Sequence, residues 1–246
     1  MNDNFSTTDP LAFLQPLFDR LAARKDDTGG APFVTLSYAQ SVDGGTIVNP
    51  SRPFALSSEE SFRMTHQLRA RHDALLVGIN TVLMDDPRLT VRLCEGDHPQ
   101  PVVLDSRLRF PLDARLLAHP DKRPLLLTTT AAAAREVERM EARGACVCVL
   151  PADAMGRVDL FAAMQCLADR GVRSLMVEGG ATVIHSFLQT RLLDYCVITV
   201  VPRLIGAFGA GAGLGPPDDR QPVSIVDCRY QPLGVDLIVH GALGKN

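Results

Sequence analysis

Short apolar runs separated by helical patterns dominate the middle of the chain. Runs that are apolar almost throughout, as in strands covered on both faces of a sheet, occur at 74–77, 101–105, 124–128, 145–150 and 174–179. Apolar residues at helical spacing lie between several of these runs. Because strands that alternate with helices form largely parallel sheets, we predict an α/β fold with a mostly parallel central sheet flanked by helices.

The predicted helices carry start and stop signals. Ser57 followed by Glu60 matches a capping box, which predicts a helix over 58–71. Two further helical patterns end at Gly144 and Gly171. Glycine favours the left-handed conformation that closes many helices, so these two glycines mark the predicted ends of the helices before the strands at 145–150 and 174–179.

The last part of the chain has a different pattern. A long β-branched run over 195–206 is followed by a loop rich in glycine and proline, and then by two apolar runs at 224–231 and 235–243. Only a short connection separates these two runs. Since antiparallel strands can be joined by a tight turn, we predict a C-terminal antiparallel hairpin added to the parallel sheet.

The first part of the chain contains one amphipathic pattern. Its apolar residues share one helical face: Leu11, Leu14, Leu17, Phe18 and Leu21. A polar, glycine-containing segment at 25–30 has the composition of a linker. We therefore predict that residues 1–30 form a helical appendage and linker, packed on the body or on a partner subunit, and that residues 31–246 form one domain.

Charge and composition narrow the class of partner. The 246 residues carry a formal net charge of −3 and are 46% hydrophobic, with a mean hydropathy of +0.07. A small negative net charge does not attract nucleic acid or an anionic membrane electrostatically. No apolar run approaches the roughly 20 residues of a membrane span, and the polar start lacks the basic residues of a secretory signal. We expect a cytoplasmic protein with a small substrate.

The spacing of histidine and cysteine residues indicates no metal site. The six cysteines include no C-x-x-C pair, and the histidines form no H-x-E or H-E-x-x-H arrangement. These are the patterns that zinc sites and redox dithiols usually need. We therefore expect neither a metal nor a redox-active disulfide.

The stretch 68–92 is dense in groups that bind ligands. It contains Arg69, Arg92, the acidic pair Asp85 and Asp86, and a small-residue turn at Gly78. Arginine forks suit phosphates and carboxylates suit hydroxyl groups, so this stretch predicts a site for an anionic, polyhydroxylated ligand. The alternative is a surface loop with ordinary ion pairs.

A second stretch combines a strand, two glycines and a helix start. Glu178 ends the apolar run, Gly179 and Gly180 follow, and a helical pattern begins that includes Thr182. The glycines would let backbone amides approach a phosphate, the first helical turn has free N–H groups, and Thr182 could add a hydroxyl. Such turns also occur for purely geometric reasons. Glu178 favours a ligand site, because open α/β sheets bind ligands at the carboxyl ends of their strands.

Two other glycine-rich segments carry less information. Asp43 stands in an Asp-Gly-Gly turn after an apolar run at 33–38, which is either a hairpin turn or a turn that presents a carboxylate. The segment 206–215 contains a G-x-G-x-G pattern. It opens no recognisable helix, so we interpret it as a flexible loop rather than a dinucleotide fingerprint.

Five motifs in order resemble the pyrimidine reductase family of riboflavin biosynthesis. They are PFVTLSYAQSVDG, LRARHDALLVGINTVLMDDPRLTVR, PVVLDSRLRFPLDARLL, SLMVEGGATVI and VVPRLIG. The resemblance implies a dihydrofolate-reductase-like α/β fold, NADPH as cofactor and a homodimer. It also implies the reduction of a ribosylamino side chain on a pyrimidine 5′-phosphate to a ribitylamino chain, through a ring-opened imine whose C1′ accepts hydride.

The resemblance implies roles for individual residues. Glu178 would act in catalysis by accepting hydrogen bonds from ribose hydroxyls. Asp43 is the candidate for handling a proton near the imine, and the alternative is that it only orients the loop or a substrate amine. One or both of Arg69 and Arg92 would hold the substrate phosphate. The residues that match family substrate contacts are Arg69, Leu89, Arg92 and Glu178. The residues that match family cofactor contacts are Ala39, Ala55, Thr81 and Asp85.

Physical arguments add further candidates on the cofactor side. Gly78, Gly179 and Gly180 are positions where backbone and cofactor could approach closely. A 2′-phosphate on the cofactor usually needs a basic or hydroxyl neighbour, and the candidates are Ser106, Arg107 and Thr129.

The chain departs from the bacterial bifunctional pattern at two positions. Pro53 replaces a substrate-contacting serine, and Ala55 replaces a large aromatic residue beside the cofactor. The chain looks more like the stand-alone fungal and archaeal enzymes, which reduce 2,5-diamino-6-ribosylamino-4(3H)-pyrimidinone 5′-phosphate before deamination. The alternatives are a reductase of the deaminated 5-amino-6-(5-phosphoribosylamino)uracil, a reductase of another pterin-like or pyrimidine substrate, and a non-catalytic NADPH-binding homodimer.

Overall fold

The computed structural model describes residues 10–25, 29–46, 56–206 and 222–244. Within these ranges the chain forms one mixed sheet with helices on both faces. The strands are β1 (Phe33–Ser41), β2 (Ala74–Gly78), β3 (Gln100–Leu104), β4 (Leu125–Thr129), β5 (Cys146–Leu150), β6 (Ser174–Gly179), β7 (Tyr195–Val201), β8 (Ile225–Leu233) and β9 (Asp236–Leu243). Their order across the sheet is β5-β4-β3-β2-β6-β1-β7-β9-β8.

The pairing of the strands confirms the predicted fold class. All neighbours from β5 across to β7 pair in parallel, and β9 runs antiparallel to both β7 and β8. The predicted C-terminal hairpin is therefore present as β8 and β9. It is β9, the later of the two strands, that joins the hairpin to the rest of the sheet.

Six α-helices accompany the strands in the described ranges. They are α1 (Gln15–Lys25), α2 (Glu59–Arg71), α3 (Ile79–Asp85), α4 (Ala134–Ala142), α5 (Leu160–Asp169) and α6 (Ala181–Thr190). Short 3-10 turns lie at Ala12–Leu14 and Arg115–Ala118. No helix in this part of the chain has the length and apolar character needed to cross a membrane.

The start of α2 differs by one residue from the prediction. The N-cap is Ser58, whose hydroxyl accepts the N–H of Ser61, and not Ser57. Both serines stand before the same acidic first turn, so the sequence motif is ambiguous by one position. The backbone decides, because the N-cap must be extended, and Ser58 has a ψ of 168°.

Two apolar clusters pack against opposite faces of the sheet. Successive residues of β2 divide between them, since Leu75 and Val77 belong to one cluster and Ala74 and Leu76 to the other. Side chains alternate across a strand, so a strand covered on both faces must be apolar throughout. This explains the uninterrupted apolar run at 74–77.

The same interpretation is wrong for β5. Its pairing partner is β4 alone, and it lies at the end of the sheet, where Cys146 is exposed and Val149 is 50% exposed. An apolar run of β-branched residues suits an edge strand as well as a central one. The run at 145–150 therefore could not reveal that one side lacks cover.

The N-terminal helix packs on the body of the molecule. The cluster that contains Leu75 and Val77 also contains Leu11, Leu14, Leu17 and Leu21, each at most 3% exposed. The Arg71 guanidinium also lies 4.2 Å from the centre of the Phe18 ring. Of the two predicted packing sites, the body and a partner subunit, α1 occupies the first. The division of the chain at residue 30 stays a prediction.

The C-terminal hairpin contacts the start of α2. The Asp236 carboxylate is 3% exposed and accepts the N–H of Ser58 at 2.7 Å. At the hairpin turn, a Cβ added to Gly234 would lie 2.6 Å from Glu60 Oε2. The Glu60 carboxylate ends an exposed side chain and could move aside, so the distance shows only that the hairpin turn lies against the first turn of α2.

Candidate active site

A large cleft opens at the carboxyl ends of the parallel strands. Its volume is about 1500 Å³, and it is lined by the ends of β1, β2, β3 and β6, by α6, and by the segments 84–92 and 153–161. Ligand pockets usually measure roughly 300–1,000 Å³, so this cleft can hold two small molecules side by side.

A buried ion pair joins two predicted site residues across the cleft floor. Arg69 of α2 donates from Nε to Glu178 Oε1 and from Nη2 to Oε2, both at 2.6 Å, and from Nη1 to the Thr90 carbonyl at 3.1 Å. Burial lowers the pKa of Arg69, but the charge and hydrogen bonds of Glu178 reverse the effect and raise it. Of the five donors of the guanidinium, three have partners among the described residues.

Arg92 lies in a part of the cleft with surplus positive charge. Burial, and after it the charges of Arg69 and Arg88, lower the pKa of Arg92. Its Nη1 donates to the Thr90 hydroxyl at 2.8 Å, and the rest of its exposed guanidinium faces the cleft. A bound anion would relieve this mutual repulsion, so this end of the cleft suits a phosphate.

Leu89 lies in the same wall and has an unusual backbone. Its φ is +50°, a left-handed value that costs a branched residue energy, and its side chain is 2% exposed. The buried side chain holds the 85–92 segment against the core. The structure places Leu89 among the lining residues, and its predicted contact with a substrate stays a prediction.

His66 is a supporting residue that the sequence did not reveal. Its Nδ1 accepts the backbone N–H of Arg92 at 3.0 Å, and its Nε2 has no partner in the described chain. Burial, followed by the charges of Arg69 and Arg92, lowers the pKa of His66 to about 4. Its one signal in the sequence is the spacing of three from Arg69 on α2, since residues three apart share a helix face.

The turn between β6 and α6 has the geometry of an anion site. Gly179 and Gly180 have φ values of +97° and +92°, and a Cβ on Gly180 would lie 3.3 Å from Thr81 Oγ1. Among the described residues no side chain caps α6, and its first amide hydrogen bonds go from Val183 and Ile184 to the Gly180 carbonyl. The earlier amides of the turn point out of the helix, where an anion can accept their hydrogen bonds.

Of the remaining residues predicted to bind the cofactor, some line the cleft, one lies where β2 contacts α6, and one lies outside the described residues. Ala39, Thr81 and Thr182 line the cleft, as does Asp85, whose carboxyl pKa is raised by burial. At Gly78 a Cβ would lie 2.7 Å from Val183 Cγ2, so the glycine lets β2 approach α6. Ala55 and Pro53 lie outside the described residues, as does nearly all of the glycine-rich segment 206–215.

Asp43 lies outside the lining of the cleft. Its carboxylate accepts hydrogen bonds from the Ser41 hydroxyl and from the backbone N–H of Ile205, the latter at 3.2 Å to each oxygen. β1 pairs with parallel neighbours on both sides, so the Asp-Gly-Gly turn is no hairpin. The structure shows the Asp43 carboxylate joining this turn to the segment after β7.

Of the three residues predicted as candidates to bind the 2′-phosphate, two line the cleft and one does not. Ser106 and Arg107 line the cleft. Thr129 is 1% exposed, lies outside the lining, and donates its hydroxyl proton to the Ser106 carbonyl at 2.8 Å. Thr129 therefore supports the loop and does not face a ligand.

Fold and cleft together define a class of protein. The sheet is mostly parallel, and the helix α6 begins without a capping side chain behind two glycines. A buried Arg-Glu pair lies beside further arginines. These features are typical of α/β proteins that bind phosphorylated nucleotides and sugars. Comparison with known proteins makes this class specific: the chain belongs to the RibD C-terminal domain family, whose model matches residues 32–239. The resemblance drawn from the five motifs is confirmed.

Two of the similar proteins with curated names are reductases from archaea. The chain is 40% identical over 185 residues to the 2,5-diamino-6-ribosylamino-4(3H)-pyrimidinone 5′-phosphate reductase of Archaeoglobus fulgidus, covering 71% of this chain and 82% of that protein. It is 35% identical over 215 residues to the protein of the same name from Methanothermobacter thermautotrophicus, covering 85% and 96%.

Among solved structures, the riboflavin biosynthesis reductase Rib7 of Saccharomyces cerevisiae is similar throughout. The TM-score is 0.73 at 27% identity, and the match covers 94% of this chain and all of that chain. The predicted arrangement of a parallel body with a C-terminal antiparallel hairpin is thus shared with a reductase.

Proposed function

We propose that this protein is an oxidoreductase of riboflavin biosynthesis. It reduces the ribosylamino side chain of 2,5-diamino-6-ribosylamino-4(3H)-pyrimidinone 5′-phosphate to the ribitylamino form, with NADPH as reductant. The observation that carries the proposal is the meeting of Glu178, Arg92 and the Gly179-Gly180 turn in one cleft of a chain 40% identical to a reductase of that name. The archaeal and yeast relatives support the diamino substrate over its deaminated analogue.

The substrate end of the cleft follows from its charges. Arg92, with Arg88 beside it, binds the 5′-phosphate, because both charges lack a carboxylate of their own in the described chain. Arg69 is bound to Glu178 and orients it. Glu178 has lone pairs left to accept hydrogen bonds from ribose hydroxyls, and Leu89 lies against the same substrate.

The cofactor end follows from the β6–α6 turn. A Cβ at Gly180 would fill the space in front of Thr81, so the residues present fit a pyrophosphate on the amides of the turn. Thr81 and Thr182 add hydroxyls, and Ala39 and Asp85 line the approach to the substrate. When bound, the nicotinamide supplies the hydride. The chain supplies position and a fixed charge distribution.

Asp43 takes a positioning role in this proposal. Its hydrogen bonds to Ser41 and Ile205 hold the turn after β1 next to the segment 203–205, so it affects the cleft through the backbone. The protein is further proposed to act in the cytoplasm as a homodimer, and sedimentation equilibrium tests the dimer.

The test is an assay of the purified protein with both pyrimidines. NADPH absorbance should fall with the diamino compound, faster than with 5-amino-6-(5-phosphoribosylamino)uracil. Preference for the uracil compound would move the protein to the later step. No turnover with either compound would contradict the proposal and favour the alternative of a non-catalytic NADPH-binding protein.

A further inference from the structure

The segment 86–92 carries Arg92 to the cleft without forming a helix or a strand. Its later residues are nevertheless buried in part, since Thr90 is 5% exposed and Val91 is 6% exposed. Buried backbone N–H and C=O groups are nearly always paired, so an irregular segment must bond them to groups outside itself. One such bond runs from Arg69 Nη1 to the Thr90 carbonyl.

Two histidines bond the next two amides of this segment. The backbone N–H of Val91 donates to His98 Nδ1 at 3.1 Å, and the backbone N–H of Arg92 donates to His66 Nδ1 at 3.0 Å. His66 belongs to α2 and His98 lies just before β3, so the two contacts reach the segment from separate elements. Together they fix the backbone at the residue that presents the guanidinium.

His66 is held in the orientation that this bond needs. It is 0% exposed, and its ring packs edge-to-face on Phe62 with the ring centres 5.1 Å apart. Burial, followed by the charges of Arg69 and Arg92, lowers the pKa of His66 to about 4. The imidazole is therefore neutral at pH 7, and Nδ1 keeps the lone pair that accepts the Arg92 amide.

His98 is held by a second histidine. Its ring packs edge-to-face on His119, with the ring centres 5.4 Å apart. The His119 side chain is fully buried, and its Nδ1 accepts the backbone N–H of Lys122 at 3.2 Å. His98 therefore cannot turn away from Val91 without displacing a buried ring.

The charges around Arg92 make a fixed backbone important. Burial lowers the pKa of Arg92, and the charges of Arg69 and Arg88 lower it further, so the three guanidinium groups repel one another. A mobile Arg92 would turn away from this repulsion into solvent, and a phosphate would then have to order it on binding. Ordering a long side chain and its backbone weakens affinity, whereas a group already in place binds without that cost.

We propose that His66 and His98 are positioning residues for the substrate phosphate. They hold the backbone at 91–92, so that Arg92 meets the phosphate in a fixed orientation. Neither histidine is among the described residues that line the cleft, so both act through Arg92 and not by contact with the substrate. This assignment rests on the proposed function, in which Arg92 binds the 5′-phosphate.

His66→Leu and His98→Leu remove the acceptor and keep a side chain of similar size. Each should raise the KM for the pyrimidine about tenfold, because an amide without its acceptor no longer holds Arg92 in place. The kcat should stay within about twofold of the wild-type value, because hydride is accepted at C1′ and not at the phosphate.

His66→Asn and His98→Asn separate this role from a structural one. The amide oxygen of Asn lies near the former Nδ1, since both atoms are attached to Cγ, and it can accept the same N–H. These variants should recover most of the affinity, although Asn fills the space of the imidazole less well than Leu does. Leu and Asn variants with the same KM would overturn the assignment.

His240 provides the control for the loss of a buried histidine. It is 0% exposed, its Nδ1 is hydrogen-bonded to the Tyr195 hydroxyl at 2.9 Å, and it lies outside the lining of the cleft. His240→Leu should lower the free energy of unfolding and leave the KM unchanged. An equal rise in KM would show that the KM follows stability, and the assignment would then be wrong.

A double variant tests whether His66 acts through Arg92. Arg92→Ala should raise the KM, and adding His66→Leu should raise it no further, because the guanidinium that His66 positions is already gone. Effects that multiply would show an independent role for His66 and contradict the assignment.

Calorimetric titration with ribose 5-phosphate measures the phosphate site without turnover. The wild type should bind it more tightly than ribose, and both Leu variants should reduce that difference about tenfold. Unchanged affinity for ribose 5-phosphate in the Leu variants overturns the assignment, even where the pyrimidine is reduced as proposed. If the Leu variants weaken this binding as expected but no pyrimidine is reduced, the proposed function fails and the positioning role stands.

Discussion

Glu178 has two roles at the scale of a single residue, one as a proposed ligand group and one as the partner of Arg69. Glu178→Gln leaves the buried guanidinium without a counter-charge, and breaking such a pair costs about 3–5 kcal/mol. We expect a loss of that order in the free energy of unfolding, measured with denaturant, along with loss of reductase activity.

A surface pair provides the control for this substitution. Glu59 and Arg63 also form an ion pair at 2.8 Å, but their side chains are 74% and 56% exposed. Glu59→Gln should cost at most about 1 kcal/mol, because solvent screens exposed pairs. Equal losses in the two variants would contradict the buried character of the Arg69–Glu178 pair.

His66 predicts a pH dependence of stability. Its pKa is lowered from 6.5 to about 4 in the folded protein, so the unfolded chain takes up a proton first as pH falls. Its contribution is complete above pH 6.5 and is lost as pH falls toward 4, by up to about 3 kcal/mol. His66→Gln cannot titrate and should lose less stability than the wild type over this range.

Comparing the wild type with His66→Gln separates the titration of His66 from that of the other histidines. Burial also lowers the pKa of His119 and His240, and both remain in the variant. Denaturation at pH 7, 6, 5 and 4.5 gives the difference curve. A difference independent of pH would show that His66 titrates normally.

Sequence reasoning found the residues of the cleft but not their contacts. Arg69, Arg92 and Glu178 were predicted site residues, and they line one cleft. The Arg69–Glu178 pair joins positions 109 residues apart, and His66 reaches the Arg92 backbone 26 residues away. Such pairings depend on how β6 and α2 pack, which no local spacing encodes. Asp43 was predicted from a turn signal that does not specify where its carboxylate points.

At the scale of elements, the β6–α6 turn makes a prediction of its own. Gly180→Ala places a Cβ at a φ of +92°, with Thr81 Oγ1 at 3.3 Å. Gly180 also has a ψ of 135°, and this pairing of a positive φ with an extended ψ is one that side chains other than glycine rarely adopt, so the change should cost about 1–3 kcal/mol of stability. The lost space should also weaken NADPH binding by about tenfold, or about 1.4 kcal/mol, in a fluorescence titration.

Gly171 supplies a matched control for this change. Its φ is +81°, and no atom lies within 4 Å of the added Cβ. Gly171→Ala therefore carries the strain of a positive φ without the crowding, and it should lose stability while keeping its affinity for NADPH. Equal affinity in the two variants would contradict a role for the turn in binding the cofactor.

The elements themselves were predicted where periodicity and boundary signals agreed. Gly144 and Gly171, with φ values of +96° and +81°, follow the ends of α4 and α5, as glycine after a helical pattern indicates. The exposure of β5 was not predictable, because apolar content does not report how many neighbours a strand has. The one-residue error at Ser57 has a similar cause, since two adjacent serines both match the N-cap pattern.

At the scale of the whole molecule, the C-terminal hairpin and the cleft depend on each other. Asp236→Ala leaves the N–H of the half-buried Ser58 without its charged acceptor, which costs about 1–3 kcal/mol. Since α2 carries Arg69, we expect a raised KM for the pyrimidine as well as lower stability. Hydrogen exchange should show faster opening of α2.

A neighbouring position controls for the hairpin itself. Val235 lies in the same turn and is 74% exposed, so Val235→Ala should leave both KM and the exchange of α2 unchanged. If Asp236→Ala lowers stability but leaves α2 exchange and KM at wild-type values, the contact does not support the cleft.

The arrangement of the strands in the sheet could be predicted only in part from the sequence. Five ordered motifs indicated the family and the mixed sheet, and the family match and strand pairing confirm both. The pattern also predicted the hairpin of β8 and β9. It did not indicate which of the two strands meets β7, because both alternate in a similar way and either can form the junction.

The position of β9 between β7 and β8 has a consequence for synthesis on the ribosome. β8 emerges first, yet it can join the sheet only through β9, so it must wait unpaired until its successor appears. Asp236 opens β9, and its bond to Ser58 forms in the same event. The contact that holds α2 against the hairpin therefore forms only after β9, the last of the described strands, has been made.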